Sequence, residues 1–115
     1  MADCLFCKIV AGEIPAKIVK RSADAVAFRD VDPKAPVHVL VIPTRHISAA
    51  RDAKGDDGER LLGSLLAFAA AVASEQGLDG EGYRIVTNTG RNAGQSVDHL
   101  HLHVLGGRKM SWPPG

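Results

Sequence analysis

Apolar positions along the chain follow two different periods. From Glu59 to Gln76 they recur at helical spacing, with Leu61, Leu65, Phe68, Ala69 and Val72 on one face and Gly77 where a left-handed glycine ends a helix. Elsewhere the apolar runs are short and rich in β-branched residues. Val37 to Ile42 reads as a buried strand stopped by Pro43, and Tyr83 to Thr87 as a second. Lys17 to Lys20 and Ala25 to Arg29 read as two more, around a Ser22-Ala23-Asp24 turn. The stretch from about His99 to Leu105 alternates histidine with leucine or valine, the period of a strand. Asp30 to Pro36, Asp52 to Gly58 and Thr89 to Gly94 are polar and carry glycine or proline, so they read as exposed loops or turns. At the N-terminus Asp3 is placed to cap a short helix over Cys4 to Ala11, closed by Gly12, after which Ile14-Pro15 forces extended backbone. Strands joined by short turns, with one long helix inserted, predict an α+β domain built on an antiparallel sheet. No repeat or linker divides the chain, and residues 1–115 read as one domain.

Charge and composition narrow the function. The formal net charge is +1, which gives no bulk attraction to nucleic acid or to an anionic membrane. Met1-Ala2-Asp3-Cys4 lacks the basic and apolar regions of a secretory signal, and Leu61 to Val72 is too short and interrupted to span a bilayer. The expected location is the cytoplasm. The two cysteines, Cys4 and Cys7, make no disulfide framework there and are expected to be thiols.

The histidines carry the chemistry. On a strand, His99, His101 and His103 project to one side roughly 6.5–7 Å apart while Leu100, Leu102 and Val104 face a core. Three readings compete: inert, hydrogen-bonded histidines; a metal site completed by a ligand from elsewhere; or phosphoryl transfer with a histidine nucleophile. A neutral imidazole, with an ordinary pKa of about 6.5, is a competent nucleophile at neutral pH. The upstream loop Asn88-Thr89-Gly90-Arg91-Asn92-Ala93-Gly94-Gln95-Ser96 favours the third, since its glycines allow close approach of backbone N–H groups to an anion and Ser96 and Asn88 can donate hydrogen bonds. It is not a Walker loop. Cys4-x-x-Cys7 is a separate, weaker signal, compatible with buried thiols, a redox pair or half a zinc site.

Gly94-Gln95-Ser96-Val97 followed by His99-x-His101-x-His103-Val104-Leu105 resembles the signature of the histidine-triad (HIT) family. Glu13 to Lys17, Ala35 to Pro43, Arg45 to Ser48 and the ending Gly106-Gly107-Arg108-x-Met110-x-Trp112-Pro113-Pro114-Gly115 are similar to its Hint-type purine nucleoside phosphoramidases. The resemblance covers nearly the whole chain outside the Arg51 to Gly58 loop. It implies that His101 is a nucleophile toward the α-phosphorus, with His38 and His103 flanking the phosphate and Ser96 near the scissile bond. It implies nucleotide contacts from Asn88, Gly94 and Gln95, and a ribose contact from Asp30. An apolar purine pocket would form from Leu5, Phe6, Ile9, Ile14, Phe28, Val31 and Leu40. The implied activity is hydrolysis of the P–N bond of adenosine or guanosine 5′-phosphoramidates and related acyl-nucleotides through a covalent nucleotidyl-histidine intermediate. The alternatives are a dinucleoside polyphosphate hydrolase of another branch, against which the Gly107 to Gly115 tail argues, and a nucleotide-binding scaffold. Some bacterial relatives bind zinc through such a cysteine pair and two histidines. The matching set here is Cys4, Cys7, His46 and His99, a structural zinc not required for catalysis. A homodimer is also implied, its sheets joined and helix Glu59 to Gln76 packed on its mate, with the tail near the partner's site. Leu61, Leu62, Leu65, Leu66 and Phe68 give that helix a wide apolar surface compatible with this.

Overall fold

The computed structural model describes residues 4–115. In chain order the elements are α1 (Leu5–Val10), β1 (Ile18–Arg21), β2 (Ala25–Arg29), β3 (Val37–Pro43), α2 (Gly55–Glu75), β4 (Tyr83–Val86) and β5 (Leu102–Gly106). Short 3₁₀ turns at Ala50–Asp52 and Arg91–Ala93 lie between them. The five strands form one sheet in the order β1-β2-β3-β5-β4, and every neighbouring pair is antiparallel. The expected α+β architecture is therefore the observed one. No described helix is long and apolar enough to cross a membrane.

Strand alternation sorts the core into two layers. Ala25, Ala27, Val39, Val41, Leu102 and Val104 face α2, where they pack with Leu61, Leu65, Ala69, Val72 and Ala73. Val26, Phe28, Leu40 and Ile42 face the other way and pack with Phe6 and Ile9 of α1. Because β3 is covered on both faces, its sequence is a continuous apolar run rather than an alternating one.

Beyond one-residue shifts at strand ends, three differences from the sequence reading have a local reason. The capping role assigned to Asp3 falls outside the described residues. The observed N-cap of α1 is Cys4, whose Sγ accepts the Cys7 N–H at 3.2 Å. Helix α2 starts at Gly55, inside the stretch read as a loop. Gly58 makes this possible, since a Cβ there would lie 2.2 Å from the Ala53 carbonyl carbon. The third difference concerns the histidines. Strand β5 begins only at Leu102, so His99 and His101 precede the ladder rather than belonging to it. Leu100 still enters the α2-facing core, and its N–H donates to the Ile47 carbonyl at 2.6 Å.

Candidate active site and metal centre

The sheet register assembles the first group. Leu40 pairs with His103 and His38 with Leu105 across β3 and β5, so His38 and His103 are diagonal neighbours on one face. Their rings meet, His38 Nε2 to His103 Nδ1 at 2.9 Å. The Lys34 backbone N–H donates to His38 Nδ1 at 3.0 Å. That nitrogen must therefore be the unprotonated one of a neutral ring, and Nε2–H donates to His103 Nδ1. The remaining nitrogen of neutral His103, Nε2, then carries a proton. Asp30 Oδ2 lies 3.4 Å from His38 Nε2, while its Oδ1 accepts the Asp32 N–H at 2.8 Å.

Both rings are neutral at physiological pH. Burial pushes His38 below the ordinary histidine value, partly opposed by the Asp30 carboxylate. Burial, reinforced by the neighbouring His101 and His38, lowers His103 to about 4.

His101 is oriented by backbone. Its Nδ1 lies 2.7 Å from the His99 carbonyl, which can only accept. So Nδ1 carries the proton, and Nε2 presents a free lone pair. The ring is almost fully buried, packed edge-on against Phe6 and against His103 at centroid distances of 5.2 and 5.1 Å. The Thr87 hydroxyl donates to the His101 carbonyl at 2.8 Å. A lone pair and, one ring away, an N–H donor are what attack on a phosphorus and binding of its oxygens require.

The upstream loop supports the site but spends its polar groups internally. Gln95 Oε1 accepts the Gly90 N–H at 2.9 Å, and Nε2 donates to the carbonyls of Ser48 and Val97 at 2.6 and 3.1 Å. Its side chain thus clasps the loop. The Gly94 N–H donates to Arg91, and Gly94 itself adopts the left-handed conformation. Asn88 is partly buried, and Ser96 is exposed, just before the bend at residues 97–99. Of the apolar set, Phe6, Ile9, Phe28 and Leu40 are core residues with Ile14 packed against them, whereas Leu5 and Val31 are exposed. The expected pocket set is thus divided between the buried core and the exposed surface.

A second group lies at the other end of the histidine row. One ligand atom each from Cys4, Cys7, His46 and His99 falls within 4.8 Å of the others. His99 is fully buried and its Nε2–H donates to the Pro43 carbonyl at 3.0 Å, leaving Nδ1 unprotonated. That nitrogen is 3.3 Å from Cys4 Sγ and 3.6 Å from Cys7 Sγ, and His46 Nδ1 is 3.4 Å from Cys7 Sγ. A tetrahedral zinc with ordinary bond lengths separates sulfur from nitrogen by roughly 3.6 Å. Donor chemistry, tautomer and spacing all fit that ion. Burial, with hydrogen bonding and charge from Cys4, raises the Cys7 thiol, a tendency that a bound cation reverses.

Sequence reasoning named the histidines but missed what orients them: the Lys34 N–H, the carbonyls of Pro43 and His99, Thr87 and the Phe6 edge. Backbone groups leave no residue-type signal. Thr87 had none beyond proximity to the motifs, and Phe6 was named only for the purine pocket, not for its edge-on packing against His99 and His101.

Comparison with known proteins agrees with this fold. The model of the HIT domain matches residues 11–110. An uncharacterized HIT-like protein of Synechococcus elongatus is 51% identical over 113 residues, 98% of this chain and 97% of its own length. A crystal structure of a HIT family hydrolase from Legionella pneumophila superposes with a TM-score of 0.94 at 50% identity, covering 98% of this chain and all of that one. A histidine triad nucleotide-binding protein from Candida albicans superposes at 0.82 with 32% identity, over 96% of this chain and 83% of its own. The chain belongs to the histidine-triad family.

Proposed function

We propose that this protein is a hydrolase of the Hint-type branch that cleaves the P–N bond of purine nucleoside 5′-phosphoramidates. The observation that carries the reading is the tautomer pattern, a free lone pair on His101 Nε2 beside an N–H on His103 Nε2. His101 Nε2 attacks the α-phosphorus. The P–N bond breaks, and the leaving amine departs with the bonding pair and takes up a proton. The nucleotide is then held on His101 by a new P–N bond. Water attacks the same phosphorus, loses a proton, and releases the nucleoside monophosphate and the neutral imidazole. His103 donates to a phosphoryl oxygen throughout, and His38 fixes the tautomer of His103. Asp30 accepts from the ribose hydroxyls, with Ser96 and Asn88 beside the scissile bond. The relatives named hydrolase and nucleotide-binding protein support the class of reaction and ligand.

The same reading includes a structural zinc on Cys4, Cys7, His46 and His99, and thiols reserved for a metal suit a reducing cytoplasm. It also includes a two-fold dimer. Strand β4 is a sheet edge, and α2 exposes Leu66 at 53% beside half-buried Leu62. The tail meets β4 at Arg84, whose guanidinium donates to the Ser111 carbonyl at 2.9 Å and lies 5.9 Å from the Trp112 ring.

The test is turnover of adenosine 5′-phosphoramidate against diadenosine polyphosphate, with wild type and His101→Ala. Faster P–N cleavage, abolished in the variant, and a nucleotidyl adduct on His101 in quenched reactions are expected. An adduct on another residue, or variant turnover within tenfold of wild type, about 1.4 kcal/mol in barrier, would refute the nucleophile.

A further inference from the structure

We infer that occupancy of the Cys4–Cys7–His46–His99 cluster sets the position of the nucleophile, with His99 as the positioning residue, so that the metal centre regulates turnover without touching substrate. The inference rests on the zinc reading above.

Because β5 begins at Leu102, the segment from His99 to His101 has no strand ladder to hold it. Its anchors are individual contacts, and several run through the cluster. His99 Nδ1 faces both thiols. The Leu100 N–H donates to Ile47, the residue after His46. Phe6 sits between Cys4 and Cys7 in sequence and rests edge-on against both His99 and His101, at 5.8 and 5.2 Å. The carbonyl that fixes the His101 tautomer belongs to His99 itself. The Pro43 and Thr87 contacts complete the set.

Three segments therefore converge on the nucleophile: α1, the loop after β3, and the run into β5. Each contributes at least one ligand, and in the cluster they meet through sulfur–nitrogen contacts of 3.3 to 3.6 Å and the edge-on packing of His46 on His99. A cation replaces those weak contacts with four bonds. Without it the His99 carbonyl is free to shift, and the His101 ring can turn or exchange its proton between nitrogens. A 1 Å misplacement of a reacting group costs up to about a hundredfold in rate. Asp30 pairs with His38 and belongs to a different side-chain group from this cluster, so the proposed ribose contact does not run through the metal ligands.

The experiment compares zinc-loaded protein with protein stripped by a chelator and then reloaded. Zinc is counted by elemental analysis, and the histidine ring nitrogens are read by ¹⁵N NMR, with His101 assigned through His101→Gln. The expected result is one zinc per chain and a single Nδ1–H tautomer for His101 in the loaded state. Stripping should give mixed tautomers and a kcat lowered tenfold to a hundredfold with KM changed less than threefold, all restored by zinc. His46→Gln, which keeps the His99 backbone, should show the same defect at low zinc and recover in excess. Absence of stoichiometric zinc would overturn both the metal reading and the coupling. Bound zinc whose removal leaves the His101 spectrum and kcat unchanged would overturn the coupling alone. So would His46→Gln with wild-type kcat and no metal. The ring spectrum needs no substrate, so it stands apart from the identity of the reaction.

Discussion

Acid should destabilise this protein through His103 more than through an ordinary histidine. In the unfolded chain the ring titrates near 6.5, and in the fold it is held to about 4 by burial and by its histidine neighbours. The sign follows directly. Above pH 6.5 both states are neutral and the contribution is constant. Between 6.5 and 4 the unfolded state binds a proton that the folded state refuses, so stability falls with pH. Below 4 both are protonated and the loss stops growing. The full difference corresponds to about 3.4 kcal/mol at 1.36 kcal/mol per pH unit. Solvent reaches part of the ring, and screening reduces this to about 1.5 kcal/mol. The assay is urea unfolding at pH 7.5 and 4.5, on zinc-free protein so that metal loss in acid does not enter. Wild type is compared with His103→Asn, which keeps an acceptor for His38 Nε2–H and cannot titrate. His38 and His99, also lowered by burial, are present in both proteins and largely cancel. The variant should lose about 1.5 kcal/mol less than wild type between the two pH values. Equal losses would mean that His103 is not held neutral, and the proton assignment from Lys34 to His38 to His103 would fall with it.

Three further outcomes are expected. Asp30→Ala should weaken ribonucleotide binding by about 1.5–3 kcal/mol and leave 2′,3′-dideoxynucleotide binding little changed, as titration calorimetry would report; equal losses exclude a ribose role. Leu66→Asp should shift sedimentation toward monomer with stability changed by less than about 0.5 kcal/mol, because the side chain is half exposed; an unchanged sedimentation profile removes α2 from the interface. Gly106→Ala should cost about 1–3 kcal/mol in denaturant melts, since its Cβ would sit 2.7 Å from both terminal methyl groups of Leu78; a neutral result would show that Leu78 can move aside.

The periodic parts of the chain were readable because their period has one structural solution. The α2 face is of this kind, whereas β3 was legible as a short, uninterrupted β-branched run that ends at Pro43. The onset of α2 was not readable. Gly55 and Gly58 look like loop residues by propensity, and only contact with Ala53 explains the second. The histidine alternation identified the right residues while hiding a division of labour. His103 lies in the ladder, His101 is held by a carbonyl, and His99 faces the cysteines. That division depends on the pairing of Leu40 with His103 and on α1 folding back over the sheet, both long-range events that no local window contains. Gln95 shows a role that motif position did not signal: its amide binds three backbone groups and clasps the loop.

The partner of His101 Nδ1 is a neutral carbonyl. In the serine-protease arrangement the corresponding histidine leans on a carboxylate, which balances the cation formed during reaction. Here nothing in that position can cancel charge or remove the proton. Once a nucleotide is carried on Nε2, the ring must remain cationic, and a cationic imidazole on phosphorus departs as a neutral molecule. Backbone orientation without charge compensation therefore makes the loaded state a high-energy one, quick to surrender its cargo. On the proposed mechanism the nucleotidyl adduct should therefore be a small, short-lived fraction caught only by rapid quenching, and water rather than storage sets the fate of the group that His101 carries.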